Sequence, residues 1–240
     1  YDAVDIQGAK TTADKIFGVL EIGDVKQIDK KDVQELNALH IKNLSKSYGD
    51  RRLFTHLNLD VQAGQKVLIK GPSGCGKSTL FRLITGEEIA DEGEIIGVTT
   101  VNECTSSFVS SIGIISQHPF LFNDTVRYNL TLGQEFSEEE LLAVLKQVKL
   151  DFELTGGMDF IIKNNGENIS GGQRVRIELA RFLLRRKNLL LADEVTAALD
   201  KENALMVHEL LFSLPVMMLE IAHHIDDESR YQQVVDLGKY

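Results

Sequence analysis

Three things are scarce in this 240-residue chain, and each shortage removes a class of function. Cysteine occurs only at Cys75 and Cys104. Cys75 lies inside a glycine-rich turn where a disulfide would be awkward, so a reducing cytosol is the expected compartment. Positive charge is short: Lys and Arg together number 26 against 36 Asp and Glu, a net charge of −10. That balance lacks the global basic field of a nucleic-acid binder, although a local basic groove stays open. No apolar run approaches the ~20 residues that cross a bilayer, and no secretory signal is present. Internal repeats and low-complexity tracts are missing as well. What remains, 43% hydrophobic and 26% charged residues, suits an ordinary core: one large domain, or one domain with an appendage. The chain starts at Tyr1 rather than Met, as a piece of a longer protein or a processed chain does.

The most informative text is Gly71-Pro72-Ser73-Gly74-Cys75-Gly76-Lys77-Ser78, the pattern G-x-x-x-x-G-K-[ST]. Lys66–Lys70 before it reads as a buried strand; Ser78 to Ile84 after it reads as a helix stopped by Gly86. Strand, glycine loop and helix are the setting that this motif requires. Glycines let successive backbone N–H groups turn toward phosphate oxygens, and the helix N-terminus adds its positive end. Lys77 supplies a charge for the β- and γ-phosphates and Ser78 a hydroxyl for Mg²⁺. A glycine turn with no ligand would have little use for the lysine.

Elsewhere the text divides in two. Residues 1–37 carry an apolar stripe at helical spacing (Ala9, Ala13, Ile16, Phe17, Leu20) and then a charged, unpatterned stretch. This reads as a helix and linker from a preceding domain, or equally as a terminal helix packed on the same domain. From residue 38 on, strands are expected at 39–44 and 53–61 around a turn at Tyr48-Gly49-Asp50, and at 112–115. Residues 118–186 read as mostly helical, with a capping box at Ser137 and Glu140. Two apolar strands follow, at 189–192 and 216–222. Long apolar strands separated by helices argue for an α/β fold with a parallel sheet buried on both faces.

Two further constellations carry chemistry. Asp193 and Glu194 follow the strand 189–192, at the end where open α/β sheets present ligand groups. The aspartate suits Mg²⁺ and the glutamate suits orienting or deprotonating a water; alone, the pair would do no more than cap the next helix. Ile169-Ser170-Gly171-Gly172-Gln173 is a second glycine turn opening a helix, with Ser170 as N-cap and Arg174, Arg176 and Arg181 beyond it.

Taken together the text resembles the nucleotide-binding domain of ATP-binding cassette (ABC) transporters. Gly71 to Thr79 match the Walker A loop, Leu189 to Asp193 Walker B, and Glu194 the catalytic glutamate. Asn168 to Gln173 are similar to the family signature, with Ile169 for the usual Leu. Gln117 matches the Q-loop glutamine, Ala198-Leu199-Asp200 the D-loop, His223 the switch histidine and Tyr48 an adenine-stacking aromatic. Taken singly, Tyr48 reads as well as a turn tyrosine, Gln117 as a solvated loop residue and His223 as a surface histidine beside His224. The family order across Tyr48 to His223 is what selects them. The resemblance implies an α/β fold with a RecA-like P-loop NTPase core, an antiparallel β subdomain and an inserted α-helical subdomain at about 118–186, within a domain spanning 38–240.

It also implies roles. ATP would be held by Tyr48, Gly71, Pro72, Ser73, Gly74, Cys75, Gly76, Lys77, Ser78, Thr79, Gln117 and Asp200. A second copy would close over it with Ser170, Gly171, Gly172 and Gln173. Mg²⁺ would be held by Ser78, Gln117 and Asp193, and catalysis carried by Glu194, His223, Lys77 and Gln117. The implied partners are a second nucleotide-binding domain and transmembrane domains, at the cytoplasmic face of a membrane, with no nucleic acid. The stripe at Ala9 to Phe17 and the text 117–130 resemble exporters. Lys163-Asn164, where exporters carry Gly-Glu, and residues 97–111 depart from them. The alternatives are an ABC domain working with separate membrane subunits, a soluble ABC ATPase, and a module that holds ATP without turnover.

Overall fold

The computed structural model describes residues 35–99, 103–104, 107–116, 119–150, 156–222, 225 and 227–240. The expected helix near Ala9 to Leu20 lies outside them. Gln34–Tyr240 is one compact unit. Its first strand, β1 (Leu36–Tyr48), begins two residues ahead of the domain start expected at residue 38.

β1 is 13 residues long and turns at Gly49 and Asp50 into β2 (Arg51–Gln62), with Tyr48 opposite Arg51. Along β2, Leu57, Leu59 and Val61 are buried while Asn58, Asp60 and Gln62 are exposed, the alternation of a sheet with one wet face. β3 (Lys66–Lys70) then leaves this sheet, followed by α1 (Lys77–Ile84). β4 (Glu92–Thr99) returns to pair antiparallel with β1, and β5 (Glu103–Cys104) extends the edge, giving the order β2-β1-β4-β5. β4 is absent from the sequence expectation because its first three residues, Glu92, Gly93 and Glu94, are polar and exposed.

The second sheet is wholly parallel. β6 (Ile112–Ile115), β7 (Leu189–Asp193), β8 (Met217–Ile221) and β9 (Gln233–Asp236) join β3 in the order β6-β7-β8-β3-β9. Alternate residues feed two cores. Leu68, Leu190, Ala192 and Met218 face one; Val67, Ile69, Leu191, Leu219 and Ile221 face the other, with α1 and the antiparallel sheet. Burial on both faces is why Val67–Ile69 of β3 and Leu189–Ala192 of β7 read as apolar runs.

The stretch 118–186 is helical only in pieces: α2 (Val126–Thr131), α3 (Glu138–Gln147) and α4 (Gly171–Leu184), with 3₁₀ turns at Gly157–Asp159 and Asn164–Gly166. The breaks are backbone events. Leu132 and Gly133 take φ of 50° and 79° and end α2; Asn164, Asn165 and Gly166 take 48°, 55° and 86°. α4 is pinned to the α2 segment by guanidinium groups. Arg181 donates to Asn129 O (2.5 Å), Phe120 O (2.7 Å) and Asn129 Oδ1 (2.8 Å), and Arg185 to Leu130 O (3.3 Å) and Thr131 O (3.1 Å). The fifth helix, α5 (Lys201–Ser213), leads into β8. No helix of the described residues is long and apolar enough to cross a membrane.

Candidate nucleotide site

The site gathers at the C-terminal edge of the parallel sheet. Ile69 pairs with Ile221, Asp193 with Ile221, and Ile115 with Ala192, so β3, β8, β7 and β6 all end at one level. The glycine loop follows β3, and Asp193 and Glu194 stand at the end of β7. Gln117 and His223, with His224, lie outside the described residues; the strands that precede them, β6 and β8, finish at this edge.

The glycine loop is braced by its own lysine. Lys77 is buried and its Nζ donates to Gly71 O at 2.9 Å and Pro72 O at 3.2 Å, folded over its own loop. Gly71 has φ of 147°, and a Cβ there would meet Cys75 Sγ at 2.7 Å and Gly238 N at 3.2 Å. Only glycine fits. The 3₁₀ turn Leu237–Lys239 after β9 thus buttresses the loop from below. Arg51 Nη2 donates to Gly74 O at 2.7 Å from the other side. Ser73, Gly74 and Ser78 are exposed, while Thr79 is buried in the first turn of α1.

The two glycine turns share an electrostatic feature. Neither α1 nor α4 carries an acidic residue in its first turn, whereas α3 carries Glu138, Glu139 and Glu140 there. An acidic first turn satisfies a helix's positive end from within; α1 and α4, like α2, carry none, and of these three only α1 and α4 follow a glycine-rich turn. Ser170 caps α4 in a capping box with Gln173: Gln173 N donates to Ser170 Oγ (3.1 Å) and Ser170 N to Gln173 Oε1 (2.9 Å). The Ser170 hydroxyl accepts in this pair, which leaves its hydrogen for a donor role. Arg176, one of the largest fully buried side chains, anchors the turn by donating to Gly172 O at 3.2 Å and to Lys149 O at 2.7 Å.

Glu194 takes the left-handed conformation, φ 50°, and its N–H donates to Ile221 O at 2.9 Å, tying the acid pair to the end of β8. Both acids are half-buried. A non-glycine residue held at positive φ is strained, and such strain gathers where side-chain aim matters. Asp200 is the N-cap of α5, and its carboxylate accepts from Asn203 N (3.0 Å) and Nδ2 (2.7 Å). These bonds hold it below the usual aspartate range.

Tyr48, at the end of β1, is 46% exposed. It stands beside α1: its phenol donates to the Glu88 carboxylate, and Arg82 of α1 lies against it. Three parts of this site were not foreseen from the sequence: Arg51, the Arg82–Glu88 pair and the Leu237–Lys239 turn. All of them act across long chain separations that leave no local pattern.

Mg²⁺ fits the donor set. Ser78, in the first turn of α1, and Asp193, at the end of β7, offer the hard oxygens that Mg²⁺ prefers. Mg²⁺ takes few protein ligands and fills its shell with water and phosphate.

Fold and site together define a P-loop nucleotide-binding domain. The ABC transporter family model matches residues 54–197, and the chain belongs to that family. It is 36% identical over 242 residues to the ATP-dependent lipid A-core flippase of Francisella tularensis subsp. holarctica (strain OSU18), covering 97% of this chain and 40% of the flippase. It is 33% identical over 237 residues to the uncharacterized ABC transporter ATP-binding protein YwjA of Bacillus subtilis (strain 168), covering 88% of this chain and 41% of that protein. A bacterial Atm1-family ABC exporter solved with ATP bound superposes with a TM-score of 0.72 at 28% identity, over 97% of this chain and 43% of the exporter. The chain therefore spans about two fifths of the length of the curated relatives it matches.

Proposed function

We propose that this domain is the motor of a membrane exporter, and that two copies, or one copy and a paralogue, close head to tail around two ATP molecules. The observation that carries the proposal is the pair of acid-free, glycine-opened helix starts, one at Lys77 and one at Gly171, in a chain with a single glycine loop for phosphate. The loop at Gly71 to Thr79 leaves the outer side of the γ-phosphate open. The turn at Ser170, Gly171, Gly172 and Gln173 is the surface that a second chain would present to it.

Within one site the roles divide as follows. The loop amides and Lys77 hold the phosphates, and Tyr48 stacks on the base. Ser78, Asp193 and Gln117 hold Mg²⁺, which neutralises charge on the phosphate oxygens when bound. Glu194 orients and polarises the attacking water, His223 steadies the γ-phosphate, and Lys77 stabilises the charge that develops in line. Loss of the γ-phosphate removes contacts to the opposing turn, so the pair opens: a two-state element biased by its ligand. Transmembrane domains would take up this motion at the cytoplasmic face, and Phe120, Phe122 and Tyr128, packed edge to face, form an aromatic surface for the contact.

The test is the dependence of hydrolysis on protein concentration. With ATP and Mg²⁺ the rate per chain should rise with concentration until the dimer is saturated. A rate per chain that is constant down to high dilution would mean that one chain hydrolyses alone, and the head-to-tail site would be wrong. For the whole protein, the export role requires a membrane partner: in the same gene, as apolar stretches of about 20 residues ahead of Tyr1, or in a co-purifying subunit.

A further inference from the structure

The far end of the Tyr48 ring carries a polar cluster that phosphate chemistry does not use. Its phenol donates to Glu88 Oε2, and Arg82 Nη2 lies 3.5 Å from the phenol oxygen and 3.3 Å from Thr79 Oγ1. Arg82 Nε in turn is 3.2 Å from Glu88 Oε1, and Glu88 N donates to Arg82 O at 3.1 Å. One guanidinium nitrogen thus stands between the ring and the first turn of α1, where the phosphate loop ends. The ring has a second constraint. Lys46 Nζ lies 5.4 Å from its centroid, over one face, and is itself held by Ile89 O at 2.7 Å and Asp91 Oδ1 at 3.4 Å. With Lys46 on one face, Tyr48 is still 46% exposed.

We propose that Glu88 and Arg82 are positioning residues for the nucleotide: they pin the Tyr48 ring at a set distance from the phosphate loop, so that the base stacks on it while the phosphates fill the loop. This rests on the reading of Tyr48 as the base platform. An unpinned tyrosine at a strand end has free rotamers, and ordering it on binding costs affinity; a ring ordered beforehand does not incur that cost. A purely structural role suits the cluster poorly. Arg82 and Glu88 are 48% and 21% exposed, and exposed ion pairs contribute little to stability.

The test compares two ligands that share phosphates and differ in the base. Dissociation constants for ATP and for inorganic tripolyphosphate are measured by calorimetry on the chain and its variants. Glu88→Ala and Tyr48→Phe should each weaken ATP about five- to tenfold, as loss of one charge-assisted hydrogen bond does, and leave tripolyphosphate unchanged. The double variant should bind ATP no worse than either single one, because both remove the same contact. Glu88→Gln keeps an acceptor and should stay near the parent. Equal weakening of both ligands by Glu88→Ala would mean a general structural defect and would overturn the proposal. So would unchanged ATP affinity. Tyr48→Ala separates the two failures: if it too leaves ATP unaffected, the platform reading is wrong; if it weakens ATP alone while Glu88→Ala does not, only the pin is.

Discussion

Gly172 rests on the side chain of Asn203: a Cβ at Gly172 would stand 2.5 Å from Asn203 Oδ1 and 3.0 Å from its Cγ. Asn203 in turn donates twice to Asp200, the N-cap of α5. The start of α4 and the start of α5 therefore touch within one chain. The turn proposed to cap a partner's nucleotide and the loop at Asp200 share a wall, and neither shifts without the other.

Replacing Gly172 by Ala pushes that wall apart. Overpacking of this kind costs about 1–3 kcal/mol, so urea unfolding should shift by that amount. ATP hydrolysis should fall while binding of ATP to the single chain, which uses the distant glycine loop, is retained. Adding Asn203→Ala returns the space and should recover part of the loss. Normal turnover in Gly172→Ala would show that the contact has no bearing on the site.

Glu194→Gln keeps the shape of the side chain and the N–H bond to Ile221 O, and removes only the carboxylate charge. Turnover should drop at least ~100-fold, the contribution of a positioned general base. ATP binding should survive, and an ATP-bound dimer should accumulate and be visible by light scattering. Undiminished hydrolysis would remove Glu194 from the chemistry.

What was legible beforehand follows from where the determinants lie along the chain. The glycine loop is a local pattern, and the runs at Lys66–Lys70 and Leu189–Asp193 are apolar because neighbours cover both faces; these and the edge run Ile112–Ile115, whose Ile114 is 45% exposed, stand where the text places them. The capping boxes of Ser137 with Glu140 and Ser170 with Gln173 are local too. β9 is not. Its Val234 is exposed, its Val235 buried and its flanks polar, and only pairing with β3 makes it a strand. The same holds for Arg51 on Gly74 O, Glu88 on Tyr48 and Gly238 under Pro72: each contact joins residues far apart in sequence, so no window of text contains both.

Glu178 of α4 predicts a pH dependence. Burial pushes its carboxyl up from 4.5 to about 7, against the Arg181 guanidinium and the Ser116 amide, and its Oε2 is buried without a hydrogen-bond partner. A carboxyl with its folded value raised binds a proton more readily folded than unfolded. Its contribution to stability is thus fully present below about 4.5 and is lost as the pH rises through about 7. Glu178→Gln removes the titration. The stability of the Gln variant relative to the parent should grow between pH 5 and pH 8, by on the order of 2 kcal/mol in urea titrations. A difference that stays flat over that range would place the proton elsewhere.

Ser170→Arg tests the closure of one chain on another. The substitution removes the cap hydroxyl that Gln173 N uses, a loss of about 1 kcal/mol, and sets a long side chain in the space at the start of α4 where the γ-phosphate is proposed to dock. The glycine loop at Gly71 belongs to a different helix and is untouched, so ATP affinity of the single chain should match the parent within error. ATP-dependent dimers and turnover should both disappear. Ser170→Ala, which loses the cap without adding bulk, should lower turnover far less. If Ser170→Arg still dimerises with ATP, the surface that covers the γ-phosphate is not this turn.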